Sequence, residues 1–162
     1  MMVSVSPSIR SMNMASKKFD IGIDPDCEAH GVAVYNNSEL VKLFTLSLPH
    51  VLALRKSCEV PSVNWHIENV LARNKIFGKE GLVNRARSIG RCQQSQHELE
   101  HFIAYAYPND VIYRYDISKE WKDQEGKKVF QHATKWPGQS NEDTRSAAYF
   151  GFLGCKQARL AI

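Results

Sequence analysis

The sequence predicts an α/β domain: a five-stranded mixed sheet with strands one to three antiparallel and helices packed on both faces. Three observations predict it. Three short β-patterned runs open the ordered chain and are joined by brief turns, as in a meander. Two further strand-like runs then alternate with helical segments, giving the order βββ-α-β-α-β-α. Finally, 162 residues that are 43% apolar and 23% charged suffice for one core but leave little for a second domain.

The first strand is expected at 19–24, where Phe19, Ile21 and Ile23 alternate with Asp20, Gly22 and Asp24 before Pro25 ends the run. A second strand fits 31–35, Asn36 to Ser38 make a turn, and a third strand fits 40–46. Pro49 opens a short helix to about residue 55, and the run VNWHIENV at 63–70 makes a fourth strand. A long helix fits 80–107, closed by Pro108, and residues 111–115 form a fifth strand. Residues 118–136 are polar, lysine-rich and aromatic-bearing, and no element is assigned to them. Residues 137–141 form a loop with cap character ahead of a last helix at 142–158. The domain therefore runs from 19 to 162. Residues 1–18, rich in Ser and Met with three bases and no acid, read as a disordered extension.

Composition narrows the functional classes. No run approaches the 18 or so apolar residues of a membrane span, so neither a membrane partner nor a membrane location is expected. The four cysteines, Cys27, Cys58, Cys92 and Cys155, are scattered without a C-x-x-C, so neither a disulfide scaffold nor a zinc ribbon is indicated and reduced thiols in the cytoplasm are expected. The tail lacks the apolar core of a secretory signal, while organelle targeting by it stays open. Charge is segregated: residues 19–68 hold seven acids and three bases, whereas Arg73, Lys75, Lys79, Arg85, Arg87 and Arg91 face only Glu80 in their stretch. A second basic group comprises Lys119, Lys122, Lys127 and Lys128. That pattern is either a set of solvated faces or a protein holding cations in one place and a polyanion in another.

The acids lie at informative places. Asp24 ends the first strand, Glu68 sits inside the fourth, and Glu142 and Asp143 begin the last helix. Carboxylates are depleted in strands and costly to bury unless compensated. Each could simply be a surface strand-end or cap residue. Together they could hold divalent cations, and two such ions about 4 Å apart promote phosphodiester hydrolysis.

The run IGIDPDCEAHGVAVYNN resembles the opening of RuvC-type Holliday junction resolvases, particularly their small phage relatives, which have the RNase H-like fold. VNWHIENV is similar to that family's second acidic strand, and GQSNEDTRSAA to its terminal helix. The resemblance covers about residues 19–155 and carries the family's catalytic and metal-binding acids onto Asp24, Glu68 and Asp143. It puts Ser146 where relatives usually have a carboxylate. A serine is a weaker, neutral ligand, so the resemblance leaves two functions open: a cleaving enzyme, or a junction-binding protein with reduced or lost cleavage. Glu142, about 100° round the helix from Asp143, is the less natural substitute. The resemblance further implies two Mg2+ or Mn2+ ions, a homodimer using the long helix, and branched, four-way DNA as substrate. It also implies the cytoplasm of a host cell if the origin is a phage. DNA contact then falls to the two basic groups, with Trp121 either stacking on a base or packing in the core.

One motif competes. His97-Glu98-Leu99-Glu100-His101 is H-E-x-x-H, the zincin pattern. On a helix both histidines lie about 160° from Leu99, opposite the apolar stripe of Leu99, Phe102, Ile103 and Ala106. Polar neighbours and the lack of a nearby third ligand, other than His132, argue for a solvated helix face.

Overall fold

The computed structural model describes residues 16–72 and 82–160. Strands β1 (Phe19–Asp24), β2 (His30–Asn36) and β3 (Glu39–Leu46) form the antiparallel meander. They are followed by α1 (Leu48–Ser57), β4 (Asn64–Glu68), a single 3-10 turn at Val70–Ala72, α2 (Leu82–Ala106), β5 (Val111–Tyr115), α3 (Gln124–Thr134) and α4 (Glu142–Leu160). The sheet order is β3-β2-β1-β4-β5, with β4 parallel to β1 and β5 parallel to β4. The five-stranded mixed sheet is thus the one the sequence predicts. Antiparallel neighbours need only a turn, whereas parallel ones need a crossover, which α1 and α2 supply.

The period of two divides β1 and β4 between two chemically different faces. Ile21, Ile23, Trp65 and Ile67 are fully buried on one side with Val32, Val34, Val51, Leu99 and Ile103, the core beneath α1 and α2. Burying Trp65 so completely means that Trp65→Ala costs about 3–5 kcal/mol. Asp20, Gly22, Asp24, His66 and Glu68 alternate to the other side, under α4. That side is close-packed because two glycines leave room: a Cβ on Gly22 would lie 1.9 Å from the Ala147 carbonyl oxygen, and one on Gly31 would lie 2.4 Å from that of Asp143. Several of its polar groups are paired, while Asp20 Oδ2 and Ser146 Oγ are buried without a hydrogen-bond partner. Asp20 Oδ1 meets His66 Nε2 at 2.8 Å, His66 Nδ1 meets the Tyr115 hydroxyl at 2.8 Å, and the Tyr35 hydroxyl donates to Ala148 O at 2.7 Å.

Three expectations change. The fourth strand stops at Glu68, and Val70 is buried by the 3-10 turn rather than by strand pairing. Of the predicted α2 stripe only Leu99 and Ile103 are buried, while Phe102 is 45% exposed and Ala106 is exposed, because the sheet covers a narrower band than the pattern offers. The unassigned stretch contains α3, started by Asp123, whose Oδ1 accepts the Gly126 N–H at 2.6 Å. Residues 1–15 lie outside the described residues, so the expectation about the tail stays there. Among the described residues no helix is long and apolar enough to cross a membrane.

Candidate active site

Register explains the site. Ile23 pairs with Ile67 in the parallel β1–β4 ladder, so the next residues, Asp24 and Glu68, emerge side by side at the strand ends on the α4 face. Asp24 is also opposite Gly31 of β2, and Gly31 is where the Asp143 backbone sits down on the sheet. Asp24 therefore has Glu68 on one flank and Asp143 on the other. The start of α4 is fixed by a reciprocal cap: the Asn141 side chain accepts the Thr144 N–H at 2.8 Å, and Thr144 Oγ1 accepts the Asn141 N–H at 2.9 Å. The cap character expected for 137–141 is real.

Asp24 and Glu68 border a cleft of about 540 Å3 that is lined as well by Ser118, Lys122 and Glu142 and by Ser88, Ile89 and Cys92 of α2; Asp143 is not part of its lining. Asp24 and Glu68 are only 6% and 4% exposed. Burial, then the neighbouring Asp24 charge, pushes the Glu68 carboxyl up to about 7, against the pull of Lys122 and the Ser118 N–H at 3.3 Å. Burial and the Asp24 charge also raise Asp143, with Lys122 again opposing. Both flanking acids thus sense Asp24. The three do not converge on one point: among the described residues they supply no trio of ligand atoms mutually within 4.8 Å. Asp24 is a hub with two separate partners.

Lys122 is where the structure adds most. Its ammonium lies 3.2 Å from Asp24 Oδ2, and that oxygen otherwise accepts no hydrogen bond, so the contact is an ion pair rather than a directed bond. The Asp24, Glu68 and Asp143 charges together raise its pKa, outweighing burial. The backbone carrying it is shaped by Arg145, a buried α4 residue whose guanidinium donates to Trp121 O at 2.8 Å, Lys122 O at 2.6 Å and Ser140 Oγ at 3.2 Å. Trp121 bends the chain there with a φ of 66°, and Gly126 allows the bend, since a Cβ on it would meet the Trp121 Cα at 2.5 Å. Sequence reasoning missed Arg145, although a lone charge between Thr144 and the run Ser-Ala-Ala was its signal.

The remaining candidates divide. Ser146 is buried and its hydroxyl has no hydrogen-bond partner. Trp121 is 4% exposed among Phe130, Tyr149 and Phe152, with ring centroids 5.3–5.6 Å away, so its ring is a core element and not a stacking platform. Arg85, Arg87 and Arg91 are exposed on α2, the helix that forms one cleft wall, and Arg91 approaches Glu28 at 3.9 Å. Lys119 lines the cleft, Lys127 is half-buried on α3, and Lys128 pairs with Glu125 at 2.9 Å. Arg73, Lys75 and Lys79 lie outside the described residues. Of the two α4 acids it is Glu142, which the resemblance makes the less natural substitute, and not Asp143 that lines the cleft. His97 and His101 are exposed, with rings stacked at 6.4 Å, and among the described residues they join no trio of metal-ligating groups.

The donor set suits hard cations. It consists of carboxylate oxygens, two of its acids hold protons more tightly than usual through burial and the Asp24 charge, and a lysine ammonium stands against the central one.

The sheet order and the helices around it are those of an RNase H-like α/β fold. The fold is that of RuvC. A Thermus thermophilus RuvC in complex with a Holliday junction substrate is similar to this chain with a TM-score of 0.56 and 13% identity, over 89% of this chain and 96% of that one. A second Thermus thermophilus RuvC structure is similar with a TM-score of 0.56 and 12% identity, over 88% and 96% respectively. No protein-family model matches the chain, and no curated protein matches it.

Proposed function

We propose that this chain is a divalent-cation-dependent endonuclease that cuts phosphodiester bonds in four-way or otherwise branched DNA. The observation that carries the reading is that three elements set Glu68 and Asp143 on either side of Asp24, near enough for its charge to raise both, with a cation, Lys122, already drawn to Asp24. A RuvC of the same fold that was solved on a Holliday junction supports the substrate class. Asp24, Glu68 and Asp143 would hold two Mg2+ or Mn2+ ions, Asp24 shared by both, with Ser146 a neutral ligand at most. Bound ions of this kind supply Lewis acidity toward the phosphodiester and lower the pKa of the attacking water.

The chain's own groups set the rest. Buried Asp24 and Glu68 keep the cation site partly dry, which strengthens its electrostatics. Lys122, on a flexible stem, exchanges Asp24 for a DNA phosphate once positive charge fills the pocket. Arg85, Arg87 and Arg91 on α2 and Lys119 at the cleft bind phosphates on either side of the acids and set the strand across them. A second copy across α2 is part of the reading, supported by the exposed Phe102 and the 83% exposed Tyr105 near its end.

A second reading, junction binding with weak or absent cleavage, is favoured by one observation: Ser146 contributes no charge and its hydroxyl is buried without a partner. Incubation with a four-way junction, a linear duplex and Mg2+ tests both. The nuclease reading expects the junction cut and the duplex spared, with cutting lost but binding kept in Asp24→Asn. Junction bound and left uncut by the unmutated chain in either metal favours the second reading, and neither binding nor cutting overturns both.

A further inference from the structure

Beside the acidic cleft lies a second cluster of different chemistry. Asp26 and Cys27, on the loop between β1 and β2, and Cys92, on α2, each present a ligand atom within 4.8 Å of the other two, the only such trio among the described residues. We propose that these three side chains form a site for a thiophilic divalent cation of the zinc and cadmium class, which ties the loop after β1 to α2 at the edge of the cleft.

The donor set argues for that class. Two sulfurs and one carboxylate oxygen select a borderline or soft cation, whereas the all-oxygen set at Asp24, Glu68 and Asp143 selects magnesium or manganese. Spacing agrees. The Cys92 thiol donates to Asp26 Oδ1 at 3.7 Å, a hydrogen bond whose proton the ion would replace. Two ligands at about 2.3 Å and about 2.0 Å from one tetrahedral ion are separated by roughly 3.5 Å.

The loop side is already organised. Asp26 Oδ1 accepts the Cys27 N–H at 2.6 Å, and the Asp26 N–H donates to His30 Nδ1 at 3.3 Å. The other nitrogen of that buried imidazole meets Ser95 Oγ at 3.4 Å, one turn beyond Cys92 on α2. The loop and helix are therefore held in register before any ion arrives, which lowers the ordering cost of binding. Both cysteines are half-buried, reachable by an ion yet sheltered from bulk water. Three protein ligands leave a fourth position to water, as in open zinc sites. Because Cys92 also lines the cleft, loading the site fixes the cleft wall formed by Ser88, Ile89 and Cys92.

The test is Cd2+ titration of the full chain, reduced and freed of metal, followed by the thiolate-to-cadmium charge-transfer band in the ultraviolet. The expected result is a band that saturates at one ion per chain, is displaced by Zn2+ and is untouched by excess Mg2+. Cys27→Ser and Cys92→Ser should each weaken Cd2+ binding roughly a hundredfold or more, beyond the ~10–100-fold that loss of a supporting group costs. Asp24→Asn should leave the band intact, which separates this site from the carboxylate pocket. A missing band, or a band that survives loss of both cysteines, overturns the proposal. If a serine variant does not fold, alkylation of the unmutated chain read by peptide mass decides. Cd2+ at a hundred times Kd should slow modification of Cys27 and Cys92 together roughly a hundredfold. No protection, or a Cys27–Cys92 disulfide in place of it, overturns the proposal.

Discussion

Glu68 gives the most quantitative test of the electrostatics. Its carboxyl titrates at about 7 in the folded chain against 4.5 for an ordinary glutamate, mainly through burial and then through Asp24. The sign follows from linkage. A raised folded-state pKa means that the fold prefers the protonated acid, so the fold is unpenalised below 4.5 and loses stability as pH rises through about 7. The full loss is about 3 kcal/mol. Glu68→Gln removes the ionisable group while keeping its shape, so the variant should be more stable than the parent by about that amount near pH 8 without metal. In a domain of this size that is about 6–12 °C in melting temperature. The assay is thermal unfolding by circular dichroism in a chelator from about pH 4 to about pH 8, where the two curves should meet at the acid end. Adding Mg2+ at the upper pH should raise the melting temperature of the parent more than that of Glu68→Gln, which keeps one cation position. Equal melting across the range, or an advantage that persists undiminished in acid, would refute the claim that burial and the Asp24 charge hold a proton on Glu68.

Other outcomes follow from single contacts. Arg145→Met should cost roughly 3 kcal/mol, because it strips a buried guanidinium from two carbonyls, and Arg145→Lys should not restore it, because one ammonium cannot span both; chemical denaturation measures each. Arg87→Ala and Lys119→Ala should each lower the slope of log binding constant against log salt for a four-way junction by about 1, read by fluorescence anisotropy. Ser146→Ala should be neutral or stabilising by up to roughly 1 kcal/mol in thermal melts, because the lost hydroxyl has no partner. Ser146→Asp should raise Mg2+-dependent junction cleavage, and unchanged rates would show that this position does not reach the ions.

What was legible in the sequence was whatever local pattern dictates. An alternating run ending in Asp24, and another holding Glu68, mark acids at strand ends, and Asn141 with Thr144 marks the start of α4. Which acids meet was not local. Asp110 is also a carboxylate, yet it accepts from Arg55, Val63 N–H and Trp65, serving the junction of α1, β4 and β5. Asp20 likewise serves His66 inside the sheet. The sequence places Lys122 among the DNA-contacting lysines; its approach to Asp24 depends on a left-handed Trp121 and on Arg145 from another helix, which no window of neighbouring residues encodes. Trp121 itself goes to the core because Phe130, Tyr149 and Phe152 form the pocket that receives it. Helical period alone overstated the buried stripe of α2, since it cannot say how wide a band the sheet will cover.

The most direct measurement is Mn2+ binding by titration calorimetry on the unmutated chain and on Asp24→Asn, Glu68→Gln and Asp143→Asn. If Asp24 lies between two cation positions, its loss should abolish binding at both, while loss of either flanking acid should weaken binding at least about tenfold and leave one ion bound. Unaltered Mn2+ binding in the Asp24 variant, with its fold intact, would contradict the shared-carboxylate site on which the nuclease reading stands.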